Sequence, residues 1–233
     1  MTLQVGIVVF PGSNCDRDCA DAVLEVLQGE VRFLPSDAPL AAHVWRGLDL
    51  IILPGGFSYG DYLRSGAIAR FAPVMEGICN YAESGKLLLG ICNGFQILSE
   101  AGLLPGALSH NQPSGFICNR FEALTVTNPD TPFTHAFTEN ERVVFPVAHG
   151  EGNYQAAPAV LDDLARQGQI VFRYAQNPNG SALDIAGICN AKRNILGLMP
   201  HPERNLWCRP QLGDSGAGRR LFESLRSALC LAS

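Results

Sequence analysis

Apolar positions in the first hundred residues come in blocks separated by polar turns. Residues 5–10 form an apolar run that gives way to Pro11-Gly12-Ser13-Asn14. A stretch over 16–27 follows in which Ala20, Val23, Leu24 and Leu27 recur at helical spacing, so the opening reads as strand, loop, helix. Residues 31–34, 48–53 and 86–89 read as further strands, the second of them ending in Pro54-Gly55-Gly56, with helical segments over 62–83 and 93–102. Unbroken apolar strands alternating with helices predict a parallel sheet covered on both faces.

Beyond Pro113 the pattern shortens. Strands are predicted near 121–127, 142–148, 169–174, 182–188 and 194–199, broken by turn signals such as Asn177-Pro178-Asn179-Gly180 and Ala191-Lys192-Arg193-Asn194. These suit antiparallel additions to the sheet. A final helix over 215–230 carries Leu221, Phe222, Leu225, Ala228 and Leu229 on one face. No long linker or fold-defining repeat divides the chain. The expectation is one α/β domain over 1–233, with a mostly parallel central sheet flanked by helices and extra antiparallel strands in the C-terminal half.

Charge and composition narrow the function classes. Seventeen basic residues against twenty-two acidic ones give a net charge of −5, and no run of Lys or Arg forms the basic stripe that nucleic-acid binding needs. With 47% hydrophobic and 17% charged residues the chain should fold compactly. The opening residues lack a basic n-region, and no apolar stretch reaches the roughly 18 residues of a membrane span. A cytoplasmic location is therefore expected, and with it eight reduced cysteines in place of a disulfide framework. Cys15 and Cys19 are the only close pair and no CxxC or HxxxH group accompanies them, so no metal site is expected. Cys15 reads as part of an exposed first turn and Cys19 as a buried helix position.

The tetrapeptide Gly-Ile-Cys-Asn occurs at 77–80, 90–93 and 187–190, with a near copy at 116–119. Context separates the copies. Cys79 lies within a helical stretch, Cys189 precedes a tight turn, and Cys118 begins a strand. Only Cys92 follows a buried strand, is flanked by Gly90 and Gly94, and leads straight into a helix. That is the arrangement of a nucleophile elbow, where bulky side chains two positions away would collide and the helix N-terminus favours thiolate over thiol. A buried small residue is the alternative, and partners decide between them.

Acyl transfer needs oxyanion donors, and Gly56 N–H with Asn93 N–H can supply them, since Pro54-Gly55-Gly56 follows a strand expected beside the elbow. A base is offered by His201, in Met199-Pro200-His201-Pro202-Glu203-Arg204. In extended chain Glu203 falls on the same face and can hold one imidazole nitrogen while the other serves the thiol. His43, His110 and His135 lack such surroundings and read as surface or loop residues. His149, in a glycine-rich loop after a strand, is open to both a binding and a plain-turn reading.

Together Gly90-Ile91-Cys92-Asn93-Gly94-Phe95-Gln96, Pro54-Gly55-Gly56 and His201-Pro202-Glu203 resemble the class I glutamine amidotransferases, a flavodoxin-like fold. More narrowly, the segments 57–67, 149–154 and 199–204 resemble the glutaminase subunits of phosphoribosylformylglycinamidine synthase, and the likeness runs from Gly6 nearly to the final helix. The resemblance implies a Cys92, His201, Glu203 triad that splits glutamine through a glutamyl thioester, with Gly55, Gln96 and His149 at the glutamine pocket. For Gln96, a solvent-facing helix position is the bland alternative. It further implies a separate synthetase subunit together with a small accessory one, with ammonia passed on for ATP-dependent conversion of formylglycinamide ribonucleotide to formylglycinamidine ribonucleotide. ATP and magnesium would then belong to the partner and no cofactor to this chain, which has no GxxxxGK[ST] loop. The segment Asn205 to Gly213, with Trp207 and Cys208, departs from the common pattern. The rival readings are a stand-alone cysteine hydrolase or peptidase-like relative, and a retired domain serving as an interaction module.

Overall fold

The computed structural model describes residues 2–208 and 216–231, the side chain of Asn119 excepted. Its centre is a nine-stranded sheet in the order β2-β1-β3-β4-β11-β10-β9-β6-β7. The first five positions are taken by β2 (Glu30–Pro35), β1 (Gln4–Val9), β3 (Leu50–Leu53), β4 (Leu87–Ile91) and β11 (Ile195–Leu198), all parallel. The remaining four, β10 (Ile185–Cys189), β9 (Ile170–Tyr174), β6 (Ile117–Val126) and β7 (Arg142–His149), pair antiparallel. The expected division into a parallel half and an antiparallel half is therefore present, with the seam between β11 and β10. A separate small ribbon joins β5 (Ala107–Ser109) to β8 (Asn153–Gln155).

Burial explains which strands sit centrally. Every residue of β3 and of β11 is buried, as a strand with helices on both faces requires, whereas β7 alternates buried and partly exposed positions like a strand with one wet face. Helix α1 (Asp16–Ala22) continues into a π-helical segment, Val23–Leu27, that covers the expected 16–27. Helix α4 (Asn93–Glu100) is buried from Asn93 to Ser99, so it threads the interior with the sheet on one side and the β5–β8 ribbon on the other. The last helix, α6 (Ala217–Leu231), packs Leu221, Phe222 and Leu225 inward as its spacing predicts. Two helices the periodicity did not reveal are α2 (Ala42–Trp45) and α5 (Pro158–Arg166), and α5 buries only Leu164. No helix among the described residues is long and apolar enough to cross a membrane.

One predicted helix is corrected. Of the segment 62–83, only α3 (Val74–Glu83) is α-helical, preceded by a single tight turn at Ala69–Phe71. Asp61, Leu63 and Gly66 all adopt positive φ, which a continuing helix cannot accommodate. Tyr62 and Leu63 are 74% and 92% exposed, so their apolar side chains had suggested a helix face that the core never takes up.

Candidate active site

The parallel strands end on one side of the sheet, where ligands of doubly wound folds bind. Four of the loops there meet: those after β1, β3, β4 and β11. Cys92 occupies the corner between β4 and α4 at φ 50° and ψ −105°, a conformation that costs roughly 1–3 kcal/mol and is held by its surroundings. Its N–H donates to the Leu198 carbonyl at 2.7 Å, locking the corner to β11. Gly94 makes the corner possible, because a Cβ there would fall 2.0 Å from the Leu53 carbonyl oxygen.

His201 stands in the loop after β11. Its N–H donates to the Pro146 carbonyl of β7 at 2.8 Å, and its Nδ1 is 2.6 Å from Glu203 Oε1. Both side chains are buried. The spacing of two that suggested a shared face does bring them together, although Pro202–Arg204 forms a tight turn instead of an extended strand. Nε2 of His201 is buried without a hydrogen-bond partner at bonding distance among the described residues, and Cys92 is a side chain with which the ring interacts. Gly55 measures how close the two come. A Cβ on it would lie 2.7 Å from His201 Cε1 and 3.4 Å from Cys92 Cβ, so the cysteine and the imidazole meet over the same bare backbone. Burial by itself pushes the His201 imidazolium down, but the Glu203 carboxylate, with added pulls from Cys92 and Cys15, outweighs it and holds the pKa well above the ordinary histidine value.

Cys15 enters this group unexpectedly. It is buried, where an exposed turn had been predicted, with Sγ 3.9 Å from His201 Nδ1 and 2.8 Å from Arg204 Nη2. The reason is that the turn 11–15 is zipped onto the loop after β3: Asn14 and Cys15 N–H both point at the Gly55 carbonyl, Phe57 N–H donates to Gly12, and Tyr59 N–H to Pro11. Cys15, His201 and Glu203 place possible ligand atoms within 4.8 Å of one another. The His201–Glu203 separation is that of a hydrogen bond, and the Arg204 guanidinium already occupies the sulfur, so the cluster is ion-paired in character.

A cavity of about 230 Å³ opens beside the sulfur, walled by Gly56, Cys92, Gln96, Ala148 and His149. The Cys92 thiol lies 3.7 Å from the Ala148 carbonyl. Gly56 has φ +152° and no room for a Cβ, which would meet the Gly12 carbonyl oxygen at 2.7 Å. Its N–H makes no hydrogen bond among the described residues, and Asn93, as the first residue of α4, has no helical acceptor for its own. The Asn93 side chain is tied elsewhere, accepting from Ser58 N–H at 3.1 Å and donating to Gln96 Oε1 at 2.9 Å. Gln96 in turn donates to the Glu151 carbonyl at 2.6 Å, so it faces the cavity instead of solvent and latches the loop after β7. Gly55, expected at the glutamine pocket, is not part of the cavity wall; it lies beneath Cys92 and His201.

Several wall residues fall in the segments 57–67 and 149–154 that carry the family resemblance, although the sequence assigned them no individual role. Asp61 and Glu151 bring two carboxylates to the cavity; burial, with Glu151 nearby, raises the Asp61 pKa against the opposing hydrogen bonds of Ser65 and Asn93. Ser65 N–H donates to Glu151 Oε2 at 3.0 Å, and His110, exposed as expected, also reaches the rim, 3.5 Å from Glu151 Oε1. Arg64 braces this loop from outside through a paired contact to Glu100. A larger hollow of about 710 Å³, between α2 and α3, is lined by residues such as Leu40, Trp45 and Asn80, and the Ser84 hydroxyl there donates to the Tyr81 carbonyl at 2.6 Å. The departing segment after Asn205 is described only in part: Asn205 is buried and Trp207 exposed beneath Arg219, while 209–215 lie outside the described residues.

Comparison with known proteins identifies a family for the whole chain. The model of the CobB/CobQ-like glutamine amidotransferase domain matches residues 2–226. The phosphoribosylformylglycinamidine synthase subunit PurQ of Alkaliphilus metalliredigens is 51% identical over 223 residues, covering 96% of this chain and 95% of that one. Its counterpart in Rubrobacter xylanophilus is 52% identical over 223 residues, covering 96% and 97%. Among solved structures, a chain of PurLQS from Thermotoga maritima superposes with a TM-score of 0.84 at 45% identity, covering 97% of this chain and 98% of its own. Another glutamine amidotransferase from Thermotoga maritima, at 15% identity and TM-score 0.61 with 98% of this chain and 97% of that one covered, shares the fold.

Proposed function

The chain belongs to the CobB/CobQ-like glutamine amidotransferase family, and from that premise we propose that it is the glutaminase subunit of a phosphoribosylformylglycinamidine synthase. The observation that carries the reading is the convergence of Cys92, His201 and Glu203 over Gly55, beside a cavity large enough for one amino acid. The Cys92 sulfur attacks the glutamine carboxamide carbon, and the N–H groups of Gly56 and Asn93 receive the developing oxyanion. His201 delivers its Nε2 proton to the departing nitrogen, ammonia leaves, and a glutamyl thioester remains. Water, deprotonated by His201, then releases glutamate and restores the sulfur, while Glu203 keeps the ring oriented.

Ammonia made here serves a synthetase subunit, helped by a small accessory protein, which uses ATP and magnesium to turn formylglycinamide ribonucleotide into formylglycinamidine ribonucleotide. Phe57, Tyr62, Leu63 and Phe116 stand exposed, Phe57 and Phe116 at the cavity itself, which suits a partner that covers the opening. A cytoplasmic location goes with this role. In the reconstituted complex, Cys92→Ala is expected to abolish glutamine-driven synthesis and leave ammonia-driven synthesis intact. Equal loss with both nitrogen sources would make Cys92 structural, and full turnover of glutamine or peptides by the isolated chain would favour a stand-alone hydrolase.

A further inference from the structure

His149 is buried at the end of β7 and lines the cavity together with Cys92. Its tautomer follows from a neighbour. The Asn111 side-chain nitrogen donates to two carbonyls, those of Gly115 at 2.7 Å and His149 at 2.8 Å, which only an NH2 group can do. The Asn111 oxygen is therefore the atom that accepts from Gly152 N–H at 2.8 Å and faces His149 Nδ1 at 3.2 Å. An amide oxygen only accepts, so the hydrogen between them sits on Nδ1 and the lone pair of the neutral ring sits on Nε2.

That lone pair is unmatched. Nε2 is buried and has no hydrogen-bond partner among the described residues. The opposite edge of the ring is closed off by Gly152, where a Cβ would come within 2.4 Å of both Nδ1 and Cε1. Burial, with His201 nearby, pushes the ring's pKa down to about 4, so it stays neutral where the enzyme works. A buried acceptor without a donor, in the wall of a reaction cavity, is completed by a donor that the substrate brings.

We infer that Nε2 of His149 accepts a hydrogen bond from the carboxamide nitrogen of the substrate, and so makes the cavity select an amide over an ester or a carboxylate. This rests on the reading of the cavity as a glutamine site. With the carbonyl oxygen turned to Gly56 and Asn93, the –NH2 is the part of the side chain left to satisfy an acceptor. A γ-carboxylate has no hydrogen to offer, so the same atom that welcomes glutamine disfavours glutamate and helps the product leave. As the sulfur–carbon bond forms and the carbon–nitrogen bond breaks, the proton moves from His201 to the nitrogen. His149 neither gives nor takes one; it is a binding and positioning residue.

The test compares the unaltered chain with His149→Gln and His149→Ala, each in the reconstituted complex, on glutamine and on glutamate γ-methyl ester. The expected result is a fall of about tenfold or more in the amide-over-ester ratio of kcat/KM for alanine, partial rescue by the glutamine variant, whose side-chain oxygen can accept, and tighter inhibition by glutamate. An unchanged ratio, with both substrates slowed alike, would overturn the inference and leave His149 a packing residue. Side-chain nitrogen NMR of the unaltered chain reads the tautomer without any variant, and an Nε2-protonated ring would also overturn it. If the unaltered complex fails to hydrolyse glutamine at all, the glutaminase reading is what fails, and the tautomer measurement still stands.

Discussion

Replacing Gly55 by alanine adds one methyl group where the backbone accepts it and the space does not. Gly55 is outside the left-handed region, so alanine suffers no conformational penalty there. The new carbon, however, would lie 2.7 Å from Cε1 of His201 and 2.9 Å from the sulfur of Cys15. Carbon atoms settle at about 3.5–4.0 Å, so the imidazole must withdraw by roughly 1 Å. It cannot do so freely, since the ring is 2% exposed and its Nδ1 is held 2.6 Å from Glu203. A displacement of about 1 Å at a reacting group costs on the order of 10²-fold in rate, and overpacking of this kind costs about 1–3 kcal/mol of stability. In the reconstituted complex, glutamine-driven kcat/KM should fall about a hundredfold, ammonia-driven synthesis should persist, and the isolated chain should melt at a lower temperature. Unaltered glutamine turnover would refute the packing of His201 against Gly55.

Glu203→Gln removes the carboxylate that holds His201 charged and oriented; kcat for glutamine should drop by about 10²-fold or more, read by stopped-time glutamate assay, and a drop below about threefold would assign Glu203 no role. Gln96→Ala frees the Glu151 carbonyl and loosens the loop after β7, so KM for glutamine should rise about tenfold with a smaller change in kcat. Acid should destabilise the fold through His149. With a folded pKa of about 4 against about 6.5 unfolded, its contribution is complete above pH 6.5 and is lost as pH falls toward 4, by up to about 3 kcal/mol. Urea midpoints at about pH 7 and about pH 4.5 measure this, and His149→Gln should narrow the gap between them.

The parallel half was legible because its strands are buried on both faces and so appear as unbroken apolar runs. The elbow was legible because two glycines around a cysteine after such a run have a steric reason to be there: Gly94 backs onto the Leu53 carbonyl. His201 and Glu203 were found through their spacing. Cys15 was misread because its burial depends on hydrogen bonds to Gly55, forty residues away. A cue was present in the position of Pro11-Gly12-Ser13-Asn14-Cys15 at the carboxyl end of β1, the edge on which doubly wound folds build their sites. Residues 61–66 defeated helical reasoning, since positive φ at Asp61 and Leu63 leaves no trace in residue type. Asp61, Ser65 and Glu151 stood in the segments that carried the resemblance but had no role assigned, because polar loop residues acquire one only when tertiary structure turns them toward the sulfur.

The Cys92 sulfur and the His201 imidazole sit at the tips of β4 and β11, which lie side by side although about a hundred residues of chain separate them. That excursion, from α4 out through β5 to β10 and back, carries Ala148, His149 and Glu151 to the cavity, and it holds the β11 tip through backbone bonds, from Met199 N–H to the Ala186 carbonyl of β10 and from His201 N–H to the Pro146 carbonyl of β7. The pairing of Leu198 with Ile91, and the bond from Cys92 N–H to Leu198, tie the two tips directly to each other within the parallel half. Side-chain changes on the outlying strands that keep these backbone bonds can thus retune what the cavity admits, or which neighbour it docks with, while Cys92 and His201 stay as they were.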